Sequence, residues 1–184
     1  MAGRSQTEVW MIYGLPAILL AAALGIGGVA MADEGPSDAQ IAHIAYTAGS
    51  LDVAAAKQAL AKSKNATVRQ FASEMVRDHE AVNDKALSLV KQLGVTPEDN
   101  PTSEALAKAA AQAEARLAKL DGPAFDKAYL ANEIAFHGTV NGALESTLIP
   151  SADNGKLKSL LETGLTLFRE HQMHAVNLAA ELKD

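Results

Sequence analysis

The 184-residue sequence predicts an all-helical protein: a four-helix bundle with an extra helix in its long middle connection, preceded by a hydrophobic N-terminal segment. Three observations lead there. Beyond residue 33 alanine, leucine, lysine and glutamate dominate, and few positions are β-branched. No stretch alternates strictly between apolar and polar residues, as a half-buried strand does. Four long segments instead repeat apolar residues at helical intervals, each marking one buried face.

Residues 1–32 stand apart. From Trp10 to Ala32 the chain reads WMIYGLPAILLAAALGIGGVAMA, 23 residues without a charge, followed by the acidic, proline-containing DEGPSD. Ala30-Met31-Ala32 is a small-x-small site of the kind signal peptidase cuts, so residues 1–32 read as a removed export signal. The rival reading is a retained anchor, because Glu8 partly offsets Arg4, the run can span about 30 Å of hydrocarbon, and Trp10 and Tyr13 sit at its interfacial end. In both readings residues 33–184 form one bundle domain outside the cytoplasm. The expected compartment is a periplasm, with the domain either soluble after cleavage or tethered to the inner membrane by residues 10–32.

The first main helix should start after Ser37-Asp38 and run to about Lys62. SKNAT forms a tight turn in which Asn65 or Thr67 caps the second, which continues to about Leu93 and stops at Gly94. VTPEDNPTSE is a polar connection leading to an alanine-rich, weakly amphipathic helix from about Thr102 to Leu120. Asp121-Gly122-Pro123 opens the third main helix, which runs to about Leu148. IPSADNG is a loop, and the fourth main helix fills the rest. Two helical hairpins joined by a long connection have the outline of a ferritin-like bundle, with an all-antiparallel five-helix bundle as the structural rival.

Each main helix points an acid or a histidine inward. In the second, Val68, Met75, Val82 and Leu89 form one row and Ala72, His79, Ala86 and Leu93 the other. In the fourth, the rows are Leu157, Gly164, His171, Leu178 and Leu161, Phe168, Ala175, Leu182. The first helix places Asp52 inside between Ala45 and Ala59. The third carries Glu133 and His137, four apart, on the flank of a stripe through Phe125, Tyr129, Phe136, Val140 and Leu144.

Burying such groups is costly unless they are paired or coordinated. Neutral imidazoles beside a carboxylate suit a divalent transition metal such as zinc, copper or iron, with His79, His137 and His171 as ligands and Asp52 or Glu133 completing the shell. Asp78 is placed to orient a ring from outside that shell. Coordination should fail below about pH 5.5, where imidazoles of pKa near 6.5 protonate. The competing reading is a non-enzymatic envelope or interaction protein whose inward groups form a hydrogen-bond network without metal. Asp126 and Tyr129 are expected to hydrogen-bond within the core, His43 to be solvated, and His174 to assist His171.

Heights along the bundle test the metal reading. From the first turn, near residue 64, Asp52 lies 12 positions back and His79 15 forward, about one helical turn apart. Across the second hairpin His137 lies about 11 positions from its helix end and His171 about 17 from its start, an offset of roughly 9 Å.

Composition excludes several functions. Without residues 1–32 the chain keeps a net charge of −6, from 15 basic and 21 acidic residues, which disfavours nucleic acid and anionic membrane surfaces. Membrane contact is therefore expected only through the N-terminal segment. The absence of cysteine leaves stability to packing. Di-iron bundles carry a Glu-x-x-His pair on each of two helices with two further glutamates, and this chain has no such pair, so oxygen-activating chemistry is disfavoured. No Ser-His-Asp set, phosphate-cradling glycine loop or cysteine nucleophile points to another enzyme.

The runs MVRDHEAVNDKAL, FDKAYLANEIAFH and LFREHQMHA resemble the bacterial family known as domain of unknown function 4142, over about residues 37–182. The most specific piece is Met-Val-x-Asp-His-x-x-x-Asn at Met75 to Asn83. The resemblance implies an exported ferritin-like bundle and matches His79, His137 and His171 to the family's motif histidines. It implies no activity. Where the family often has glutamate in the first helix this chain has Asp52, whose shorter side chain reaches less far.

Overall fold

Side-chain caps set where the helices start in the computed structural model, which describes residues 35–182. The hydrophobic segment and its Ala30-Met31-Ala32 site lie outside those residues. Ser37 opens α1 (Asp38–Lys62) with a capping box: its hydroxyl accepts from the Gln40 amide at 3.3 Å, and the Gln40 side chain accepts from the Ser37 amide at 3.1 Å. Asn65 caps α2 (Ala66–Leu93) by accepting from the Thr67 and Val68 amides, and Gly94 ends it at φ +66°, where a side chain would be strained. Asn100 and Asn154 cap α3 (Pro101–Leu117) and α6 (Gly155–Glu181) in the same way. Pro123 occupies the first turn of α4 (Gly122–Ala143), where its missing N–H is harmless.

The third main helix does not stop near Leu148. A π turn, Leu144–Leu148, carries α4 on into the short α5 (Ile149–Ser151). The Ile149 N–H bonds back to the Leu144 carbonyl, one residue further than in an α-helix. This widened turn falls just before Pro150, which has no N–H to donate and would ordinarily end the helix.

The hydrogen bonds at the helix ends give the directions. The Asp38 carboxylate accepts from the Asp153 and Asn154 amides at 3.0 Å each, so the start of α1 and the α5–α6 connection share one end of the bundle, taken as the lower end. The connection after α2 returns there as well, since the Glu98 amide donates to the Ala39 carbonyl. At the upper end Lys62 donates to the Ala118 carbonyl and pairs with Asp121 at 3.0 Å. Thus α1 and α6 run up, α2 and α4 run down, and contacts close them into a ring in the order α1, α2, α6, α4.

Helix α3 climbs outside the ring, over the groove between α1 and α4, and buries only Ser103, Ala113 and Leu117. The fold is therefore a ferritin-like four-helix bundle with an extra crossover helix. The five long helices among the described residues do alternate in direction, but α3 covers the bundle from outside. His43 holds the foot of α3: its Nδ1 meets Ser103 Oγ and its Nε2 meets Asp99, each at 3.0 Å. It is half-buried in that role and not the solvated histidine the sequence suggested. Among the described residues no helix is long and apolar enough to cross a membrane.

Two apolar clusters fill the ring. The upper one holds Phe71, Met75, Phe125, Tyr129, Leu130 and Leu178. The lower one holds Ile41, Ile44, Leu144, Leu148, Leu157 and Phe168. A layer of buried acids and histidines lies between them.

Candidate metal centre

Helix register brings this layer together. Asp52, His79 and His137 each lie 14 positions from the lower end of their helix, at Asp38, Leu93 and Ser151 respectively, and His171 lies 16 from Gly155. A two-residue difference is about 3 Å along a helix. Most of the apparent misfit between His137 and His171 came from ending the third main helix at Leu148, three residues early.

The three imidazoles stand at the corners of a nearly equilateral triangle, with ring centroids 5.4 to 5.5 Å apart. One ligand atom from each of His79, His137 and His171 falls within 4.8 Å of the others, and the same holds for Asp52, Glu133 and His137. All five residues are buried, none more than 3% exposed. His79 Nε2 lies 3.6 Å from Asp52 Oδ1, and His137 Nε2 lies 3.7 Å from Asp52 Oδ2. Both gaps exceed a hydrogen bond. Among the described residues neither ring nitrogen of His79, nor His137 Nε2 or His171 Nδ1, has a hydrogen-bond partner, and the Asp52 carboxyl has none but Glu133, which is close enough to share a proton with it.

Tautomers follow from the partners that do exist. His137 Nδ1 lies 3.1 Å from the Glu133 main-chain carbonyl, which can only accept, so Nδ1 carries the proton and Nε2 the lone pair. His171 Nε2 lies 3.1 Å from Asp78 Oδ2. Hydrogen bonding from Arg77 holds the Asp78 carboxyl below its ordinary range, so it is ionised and accepts, leaving the lone pair of His171 on Nδ1. Asp78 therefore orients a ring from outside the layer, the role its sequence position suggested. The His79 ring lies flat on Phe168, with centroids 4.7 Å apart and planes 10° from parallel.

Burial sets the charge states. It pushes the His79 imidazole far below its usual value, with the neighbouring His137 and His171 adding to the effect, and lowers His137 to about 4 and His171 below its ordinary value. Burial also raises Asp52 to about 7, and it raises Glu133 strongly, with the nearby Asp52 charge adding to the rise. At neutral pH the layer is thus three neutral imidazoles beside two carboxyls that resist ionising together.

Glu133 lies to one side. Its Oε2 is 3.8 Å from His137 Nδ1, the nitrogen already committed to the backbone, and its Oε1 is 3.5 Å from Asn132 Nδ2. The Tyr129 hydroxyl and Asp126 Oδ1 have no partner among the described residues, against the expectation that both would hydrogen-bond in the core. His174 pairs with Glu74 at 3.1 Å and meets Phe71 edge-on, so it serves the surface of α2 and α6 and not His171. Sequence reasoning missed a cleft of about 200 Å³ between α1, α3 and α4 that reaches from the exposed Arg116 to Asp52 and Glu133. Its α3 wall is Ala109, Ala110 and Ala113, an alanine run whose meaning depends on where α3 docks.

The comparisons agree with this architecture. A secreted-type DUF305 protein from Streptomyces coelicolor has a crystal structure that aligns with a TM-score of 0.67 at 13% identity, covering 79% of this chain and 93% of its own. At that identity the likeness concerns the fold alone. No curated protein matches the chain significantly. The family model described as a domain of unknown function, DUF4142, matches residues 27–178, and the chain belongs to that family.

Proposed function

We propose that the protein is an exported metal-binding bundle that holds one divalent transition ion, zinc, copper or iron, through His79, His137 Nε2, His171 Nδ1 and the Asp52 carboxylate. The spacing of the unpartnered atoms carries this reading. Two ligands 2.0–2.1 Å from a tetrahedral ion stand about 3.3 Å from each other. The histidine–aspartate gaps of 3.6 and 3.7 Å need only a small contraction to reach that value. A hydrogen-bond network satisfies these atoms less well, because His137 Nε2 and His171 Nδ1 both carry lone pairs and neither can donate to Asp52, and each group left unpaired costs about 1–3 kcal/mol.

His137 has a single lone pair, so the two ligand groups that share it serve one ion and not two. Asp52 completes the shell, and Glu133 stays protonated beside it, its backbone carbonyl fixing the His137 tautomer. A shell filled by four protein ligands favours holding an ion over catalysis. Export fits the description of the structural neighbour as secreted. We read the domain as periplasmic, soluble after cleavage or tethered by residues 10–32, with no nucleic-acid partner.

The pH dependence separates this reading from simple histidine titration. Binding must remove a proton from Asp52, whose folded pKa is raised to about 7, so affinity falls as pH drops below about 7. The histidines add to the fall only later, because burial keeps His137 neutral down to about pH 4. The onset is thus set by the carboxyl and lies above the pH 5.5 expected from ordinary imidazoles. Melting the metal-free protein with and without zinc, copper, iron and manganese at pH 7.5 and 5.5 tests this. One ion should raise the melting temperature, and more at pH 7.5. No shift with any of the four would sink the proposal.

A further inference from the structure

One heptad below the ligand layer, the seam residues of the same four helices are Ala45, Ala86, Leu144 and Gly164. Three of the four are alanine or glycine where larger residues would fill the bundle axis. The consequence is a cavity of about 120 Å³ in the lower core, bounded by these residues, by Leu157 and by Phe168. Phe168 is the same ring that lies flat on His79. Exposed Thr102 and Thr139, together with Leu106, mark the cavity's mouth between α3 and α4.

Almost nothing in the cavity can hold a polar molecule. The Asn83 amide donates to Ser50 Oγ at 3.2 Å, and the Thr139 hydroxyl donates to the Ala135 carbonyl at 3.0 Å. A buried water needs about two to four polar partners, whereas a lined apolar cavity of about 150 Å³ in another protein stays dry and binds benzene or xenon.

We propose that this cavity is a binding site for a compact, uncharged, apolar molecule of about the size of benzene, recognised by shape and dispersion contacts. Its occupant lies against Phe168, the ring that also stacks on His79. The site does not depend on the metal reading, and it is tested on metal-free full-length protein with benzene as the probe.

Benzene should raise the melting temperature by about 3 °C, in line with mass action on the folded state, and calorimetry should give one site. Ala86→Leu fills the cavity and should abolish the benzene response. If that variant fails to fold, Gly164→Ala serves instead: its added Cβ meets Phe168 Cε2 at an ordinary 3.4 Å, and it should weaken benzene binding several-fold. Phenol, of nearly the same size but with a hydroxyl the cavity cannot satisfy, should bind at least tenfold more weakly. The proposal is overturned if benzene leaves the wild-type melting temperature unchanged, if it shifts wild type and the folded filling variant equally, or if phenol binds as well as benzene.

Discussion

The upper and lower halves of the bundle are packed by different means. Above the ligand layer, Phe71, Met75, Phe125, Tyr129 and Leu130 are fully buried and interlock across the four helices. Below it, leucines and isoleucines surround alanine and glycine seam positions and leave a cavity of about 120 Å³. By the usual dependence on cavity volume, a hollow of that size forgoes about 3 kcal/mol. The polar layer between the halves is a second local loss of stability, since both ring nitrogens of His79 and one each of His137 and His171 are desolvated without hydrogen-bond partners, beside two buried carboxyls. The upper cluster thus anchors the fold, while the middle and lower layers are shaped for something other than maximum stability.

The largest expected effect breaks this comparison directly. Leu130→Ala in the upper cluster should destabilise by about 4 kcal/mol and Leu161→Ala beside the cavity by only about 2, because a side chain facing a hollow has fewer contacts to lose. Urea melts of the two variants would show it, and equal losses would mean the halves are packed alike.

Asp52→Asn probes the layer between them. A carboxyl whose folded pKa lies above its unfolded value destabilises the native state once it must ionise. That penalty is absent below pH 3.8 and complete above about pH 7. Metal-free Asp52→Asn should therefore match wild type near pH 4 and exceed it by about 2–4 kcal/mol at pH 8. A pH-independent difference would mean that Asp52 does not titrate in this layer. The smallest effect belongs to Gly164→Ala, which adds a methyl at ordinary contact distance and removes a flexible residue from a helix interior. Denaturant melts should show a gain of about 0.5–1 kcal/mol, where the same change against a filled core would be a loss.

Much of this organisation was legible in the seam pattern. Asp52, His79 and His171 stand out because each interrupts a buried stripe, Glu133 and His137 because they flank one, and the turn residues located the helix starts to within a residue or two. Their common height was not legible, because Asp52 and His79 share one turn and His137 and His171 the opposite one, and the third main helix runs past Leu148 to Ser151. The π turn before Pro150 has no sequence signature of its own, yet it carries the helix on into Ile149–Ser151, the residues that bring His137 level with His171. Ala45, Ala86 and Gly164 were visible as seam residues, but only the register puts all three in one layer. The pairing of His43 with Ser103 and Asp99 depends on where α3 docks, which its even, alanine-rich surface does not specify.

The most direct test of the central claim is calorimetric metal titration of wild type beside His171→Leu, paired with denaturant melts of both metal-free proteins. Leucine completes an apolar row with Leu157 and Leu178, and the substitution strands no partner, since Asp78 keeps Arg77. If the layer is a metal centre, the wild-type chain should bind one ion, His171→Leu should lower metal affinity at least a hundredfold, and the metal-free variant should be as stable as wild type or more so. Equal metal affinity in the two proteins would remove His171 from the site and contradict the reading of this layer as a metal centre.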